Sequence, residues 1–228
     1  MNMKKSFKEN VLVVAAHPDD ELLGLGGALC IHRDKGDEIS ILLLANGEDS
    51  RGATMSNPSK RLEQAKKVAT RLKATLYLAD FPDNSFDSVS LLEIAKKVES
   101  VVEISNPDII YTHHPDDVNV DHVLTSMAVT IAARPIDDKK RITKILAFET
   151  LSSTEWQMNK DKMFAPNYYV DISKYIEEKK KLLMIYKYEL RIYPHSRSLK
   201  GVEILAQYRG LETGMAMAEA FRVLRIIT

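Results

Sequence analysis

The sequence has one cysteine, one tryptophan, no surplus of charge of either sign and no long uncharged apolar run. A lone Cys30 can form no disulfide within the chain, which fits a reducing cytoplasm; its place in an apolar helical stretch reads as a buried structural thiol. The 32 Lys and Arg residues cancel the 32 Asp and Glu residues, so nothing in the global balance draws the chain to nucleic acid or an anionic membrane. No apolar stretch approaches the roughly 18 to 20 residues that span a bilayer. Residues 1–10 carry Lys4, Lys5 and Lys8, but the apolar run that follows ends at once in a histidine and two aspartates, which is not the pattern of a secretory signal. Repeats and low-complexity tracts are also missing.

What is there fits one compact domain over residues 1–228, with 45% hydrophobic residues to fill a core. Short β-branched or leucine-rich runs alternate with longer amphipathic segments, the pattern of an α/β fold with a mostly parallel sheet between layers of helices. The runs predict strands over 11–16, 38–45, 75–79, 108–112 and 144–150, and helices over 21–35, 59–72, 90–104 and 121–133. Pro107 and Pro135 close the last two helices. Beyond 150 the rhythm changes: a short β-like stretch over 168–172 and helices over 173–188 and 201–208 predict a helical appendage, residues 167–228, of the same domain. Two long polar connections, 46–58 and 152–166, have a length usual for functional loops.

In an open parallel sheet, ligands bind beyond the carboxyl ends of the strands. Ala16-His17-Pro18-Asp19-Asp20-Glu21 falls where the first strand hands over to the first helix. His17 and Asp20 can turn to one point from such a bend, and Asp19 can face that point without being a ligand. Two carboxylates and an imidazole within four residues suit a metal ion, whereas capping a helix needs one carboxylate. Gly24, Gly26 and Gly27 match neither a dinucleotide nor a phosphate-loop pattern and read as close helix-to-sheet packing.

The second cluster, His113 to His122, follows the fourth strand with three histidines and three aspartates in ten residues. His122 opens the next helix and can complete a His, Asp, His set, the arrangement of catalytic zinc. Asp121 is a second-layer residue or helix cap. One of His113 and His114 is expected to be a buried polar core residue and the other to face the metal. His114, at the start of the irregular segment, is preferred for the metal.

These residues resemble the PIG-L or LmbE-like N-deacetylases, through AHPDDE at 16–21, HxxDxNxDH at 114–122 and GLETGMAMAEAF at 210–221. The resemblance spans nearly the whole chain. It implies a Rossmann-like fold, removal of acetyl groups from amino sugars and their conjugates, and zinc bound by His17, Asp20 and His122. It also implies Asp19 as general base. The best-known relatives have a histidine at the oxyanion three residues before the last ligand. Here that position is Asn119, and either Asn119 donates in its place or, as preferred, His114 swings in.

Asn46-Gly47-Glu48, Arg61 with Glu63, and Asp83-Asn84 also look like family positions near the pocket. Arg51 is preferred over Arg61 for gripping a hydroxyl or phosphate, and Trp156 is a candidate sugar-stacking face. Pro194-His195-Ser196-Arg197-Ser198 is expected either to cap a helix or to close a pocket wall. The expected partner is a small N-acetylated sugar or conjugate, with a homo-oligomer left open. Ferrous iron is the alternative to zinc. The rival readings are a two-metal phosphoesterase bridged by Asp116 or Asp117, and a carbohydrate-binding metalloprotein without catalysis.

Overall fold

The computed structural model describes residues 8–45, 58–135 and 142–228. Strand β1 (Asn10–Ala15) leads into α1 (Asp20–Lys35), β2 (Glu38–Ala45), α2 (Pro58–Leu72) and β3 (Thr75–Phe81). Then come α3 (Leu91–Ser105), β4 (Ile109–His113), α4 (Val120–Ala132) and β5 (Lys144–Phe148). The chain closes with β6 (Tyr168–Asp171), α5 (Ile176–Leu183), α6 (Leu199–Leu211) and β7 (Ala218–Ile226). The strands form one sheet in the order β3-β2-β1-β4-β5-β7-β6. All pairings from β3 across to β5 are parallel, and β7 runs antiparallel to both of its neighbours.

Alternation along β1 sets the three layers. Val11, Val13 and Ala15 pack with Leu22, Leu29, Val68 and Leu182 of α1, α2 and α5. Leu12, Val14 and Ala16 point the other way, against Ile94, Val98, Ala128 and Val129 of α3 and α4. Side chains with period two thus serve two helical layers from one strand. The helices on that second face start where the sequence provides caps: Ser90 accepts from the Leu92 amide and Asn119 from the Asp121 amide.

The glycines of α1 are sites of close approach. A methyl on Gly27 would come within 2.6 Å of Ile172 Cγ2, and one on Gly24 would overlap the Phe148 ring. Between them the helix breaks at Leu25, whose φ of −145° is not helical. The groups released by the break are taken up by a buried ion pair. Lys179 Nζ donates to the Leu23 carbonyl at 2.8 Å and to Glu219 at 2.7 Å, while the Glu219 carboxylate accepts from the Gly27 and Ala28 amides.

A helical appendage over 167–228 is too narrow a description. The expected helices are present, with α5 beginning at Ile176 rather than 173 and followed by a tight turn over Met184–Tyr186, but β6 and β7 extend the sheet. β7 escaped the sequence pattern because its first half, Ala218 to Phe221, is buried on both faces, so apolar and polar residues do not alternate. The fifth strand also ends at Phe148, short of 150, where Thr150 turns its amide to Thr154 Oγ1.

Candidate active site

Successive connections run one way from β1 to β3 and the other way from β4 to β5, so the order of the sheet reverses between β1 and β4. This is the switch point at which open α/β sheets leave a crevice. The ladder between β1 and β4 stops at Val13 and Tyr111, and the Ala16 amide donates instead to His113 Nε2 at 2.9 Å. Both motifs leave the sheet at this crevice, at the N-termini of α1 and α4.

His17 Nδ1 is 3.2 Å and His122 Nε2 3.4 Å from Asp20 Oδ2, and the three ligand atoms lie within 4.8 Å of one another. All three side chains are buried. The far nitrogen of each imidazole has its own carboxylate. His17 Nε2 is 2.9 Å from Asp121 Oδ2, and His122 Nδ1 is 3.3 Å from Asp117 Oδ1. Asp121 is anchored by the Phe86 amide, and Asp117 by the hydroxyls of Ser153 and Thr154. A carboxylate behind each ring fixes its tautomer and turns the other nitrogen to the common point, as metal-binding histidines require.

Electrostatics support a cation there. Burial lowers the affinity of His17 for a proton, but Asp121 and Asp20 overcome it and push its pKa up to about 10. Burial likewise opposes charge on His122, and Asp20 and Asp117 raise its pKa all the same. Burial works against ionised Asp20 too, yet His122 and His17 hold it well below the usual carboxylate range. Positive charge is favoured at this point, and the donor set, two imidazoles and one carboxylate with carboxylates behind them, suits a divalent ion. A second set, His17, Asp83 and Asp121, shares His17, but Asp83 already holds the guanidinium of Arg61 at 2.8 Å. It acts as backing for the first set.

Asp19 stands beside this cluster. Its φ is +106°, in the region that side chains rarely adopt, and its amide is held there by Glu21 Oε2 at 3.0 Å. Strain of this kind persists where surrounding contacts over-determine it, and it concentrates at functional positions. Glu21 is fixed in turn by the Tyr186 hydroxyl. Burial and the neighbouring Asp20 charge raise the Asp19 pKa to about 7, against the pull of Arg197, whose NH1 is 3.3 Å from Asp19 Oδ2.

The expectation that His114 faces the metal is corrected. Its Nε2 donates to the Lys162 carbonyl at 2.9 Å and its ring meets Phe164 edge-on, while His113 stacks on His122 with ring centres 3.9 Å apart. The reason is local. His113 still belongs to β4, where its ring fills the gap between β1 and β4, and the next residue is turned to the other side. His113 is no donor to the site either: its Nε2 accepts from Ala16, and burial together with the His122 charge keeps its pKa well below the usual histidine value.

Asn119 spends its Oδ1 on capping α4, and its Nδ2 is 3.4 Å from Asn84. Trp156 is 53% exposed, with its ring edge-on to His195 at 6.3 Å, so it faces the loop that carries Arg197. In that loop Ser198 caps α6, as one of the two readings of Pro194 to Ser198 had it, and Arg197 reaches Asp19. Arg51 lies outside the described residues. Arg61 bonds Asp83 and Glu189. Asp117 is tied to His122, Ser153 and Thr154, and Asp116 lies 3.8 Å from Lys162, so neither is placed as the bridge of a two-metal centre. Sequence reasoning missed Glu21, Arg197 and Glu219 as individual residues, although each lies inside a stretch it had marked.

Comparison with known proteins places the chain among deacetylases in sequence. Over 94% of its length the chain is 26% identical to diacetylchitobiose deacetylase of Thermococcus kodakarensis, covering 82% of that protein. Among solved structures it resembles the N,N'-diacetylchitobiose deacetylase of Pyrococcus horikoshii at 19% identity, with a TM-score of 0.75 over 94% of this chain and 83% of that one. It also resembles GalB, the 4-carboxy-2-hydroxymuconate hydratase of Pseudomonas putida KT2440, at 20% identity and a TM-score of 0.73 over 96% and 98% of the two chains. The shared fold therefore houses a hydratase as well as a deacetylase, and the reaction has to be read from the site. Among the described residues no helix is long and apolar enough to cross a membrane. The family described as PIG-L: GlcNAc-PI de-N-acetylase matches residues 12–133 of the 228, and the chain belongs to that family.

Proposed function

We propose that the protein is a metal-dependent hydrolase that removes the N-acetyl group from an amino sugar or sugar conjugate and releases acetate. The observation that carries this reading is the convergence of His17, Asp20 and His122 on one point with Asp19 beside them. A binding module without catalysis has no use for a strained, buried carboxylate next to a complete ligand set. The relatives named above that are deacetylases act on an N-acetylated sugar, and the same class of substrate is proposed here.

His17, Asp20 and His122 would hold the ion, with zinc first and ferrous iron second for these donors. When bound, such an ion supplies Lewis acidity, which polarises an amide carbonyl and makes water more acidic. Asp121 and Asp117 keep the two imidazoles aimed. Asp19 takes the proton of the attacking water and returns it to the departing nitrogen. Trp156 offers an exposed ring face on which a sugar can stack.

The test is acetate release from a panel of N-acetylated sugars and conjugates, with and without chelator. Release from at least one of them, abolished by chelator and restored by zinc, is the expected result. No release from any substrate sinks the reading, and release indifferent to chelator sinks its metal dependence.

A further inference from the structure

Attack on an acetamide places negative charge on its oxygen, and a site that hydrolyses amides needs donors aimed at that oxygen. The candidates that the sequence offered are engaged elsewhere: His114 with the Lys162 carbonyl, His113 with the Ala16 amide, and the donor nitrogen of Asn119 with Asn84 Oδ1 at 3.4 Å. Arg61 divides its guanidinium between Glu189 and Asp83.

Arg197 differs from its neighbours. Its NH1 makes one long contact, 3.3 Å, to Asp19, and its Nε has no partner. Arg209, by contrast, clamps Glu149 through Nε and NH2 at 2.8 and 2.7 Å and also holds Glu212. Arg197 is pinned in the backbone, where its amide donates to His195 Nδ1 and its carbonyl accepts from Arg191. The side chain is 17% exposed, sheltered yet open to a ligand. A water that gives its proton to Asp19 lies within hydrogen-bond reach of that carboxylate, and the carbon it attacks about 3 to 3.5 Å further on. A guanidinium already touching Asp19 is thus a neighbour of the reacting acetamide.

We propose that Arg197 is a catalytic residue that donates a hydrogen bond to the acetamide oxygen as it becomes an oxyanion. The proposal rests on the deacetylase reading above. Water adds to the carbonyl carbon, its proton passes to Asp19, and the C=O electron pair moves to oxygen, facing Arg197. Collapse restores the double bond and breaks C–N as the nitrogen takes the proton from Asp19, which leaves acetic acid and the free amine; the acid proton then passes to the amine, giving acetate and the ammonium form. An arginine cannot give up its proton near neutral pH, so Arg197 stabilises charge and is no acid.

The test compares wild type, Arg197→Gln and Arg197→Lys on a substrate that wild type hydrolyses, together with Asp19→Asn alone and combined with Arg197→Gln. Arg197→Gln is expected to lower kcat about 10²- to 10³-fold, with KM within a few-fold and metal content unchanged. Lysine should recover part of the loss. A second readout needs no metal: chelator-treated wild type should bind methylphosphonate, a tetrahedral anion of the right size, at least about ten-fold more tightly than chelator-treated Arg197→Gln. Unchanged kcat, or equal methylphosphonate affinity, overturns the proposal while the deacetylase reading stands. So does an Asp19→Asn background in which Arg197→Gln costs nothing further, because Arg197 then acts only through Asp19. Wild type that releases no acetate from any substrate overturns both.

Discussion

The first helix connects two buried polar clusters that differ in how their charges are balanced. At its start, Asp19 and Asp20 join His17, Asp83, Asp117, Asp121 and His122, an excess of carboxylate that raises the affinity of the His17 and His122 imidazoles for positive charge. One turn on, at the break around Leu25, Lys179 pairs with Glu219, and nearby Arg209 pairs with Glu149. Each charge there has an opposite partner, and the Leu23 carbonyl and the Gly27 and Ala28 amides of α1 are bonded by the same pair. A buried polar network that is complete fixes a shape. One that is short of positive charge is built to receive it. The same helix thus shows a structural use of buried charge and, within a few residues, a chemical one.

Substitutions on either side can break or sharpen this contrast. The largest effect is expected in the incomplete cluster. Asp19→Asn should lower kcat about 10²- to 10⁴-fold with the metal retained, as removal of a general base does. Metal analysis beside steady-state kinetics would show it, and a loss below ten-fold would remove Asp19 from its role. In the complete cluster, Glu219→Ala should destabilise the fold by about 3 to 5 kcal/mol, because it leaves the Lys179 charge buried and unpaired. Denaturant unfolding of chelator-treated protein measures this without reference to the metal. Replacing both partners by apolar residues should recover only part of the loss, since the Gly27 and Ala28 amides still lack an acceptor.

Asp117→Asn tests the layer behind the ligands. It should weaken metal binding about 10- to 100-fold in competition with a chelating dye. The smallest effect belongs to packing. Gly27→Ala should cost about 1 to 3 kcal/mol, because Ile172 must move aside for the new methyl. It should leave metal affinity unchanged.

Much of the fold was legible because it depends on short-range pattern. The strands from β1 to β5 alternate or run apolar between turn residues, and the caps Ser90 and Asn119 stand where the helices begin. β7 was not legible: burial on both faces erased its period, and its partners β5 and β6 are distant in sequence. The clustering of His17, Asp20 and His122 could be read for a similar reason, since each sits at a strand-to-helix junction whose direction the fold dictates. The choice between His113 and His114 could not. It turns on which of two adjacent side chains faces the gap between β1 and β4, and that depends on where β4 stops, which the sequence left one residue uncertain. Arg197 reaches Asp19 from 178 positions away, through a loop whose path no local pattern specifies.

The central claim is that His17, Asp20 and His122 form one metal site on which deacetylation depends. The direct measurement is the metal content of purified wild type and of Asp20→Ala after equilibration with zinc, read beside acetate release by the same samples. About one ion per chain in wild type, lost together with activity in Asp20→Ala, is the predicted result. A variant that retains its ion and its rate would contradict the account.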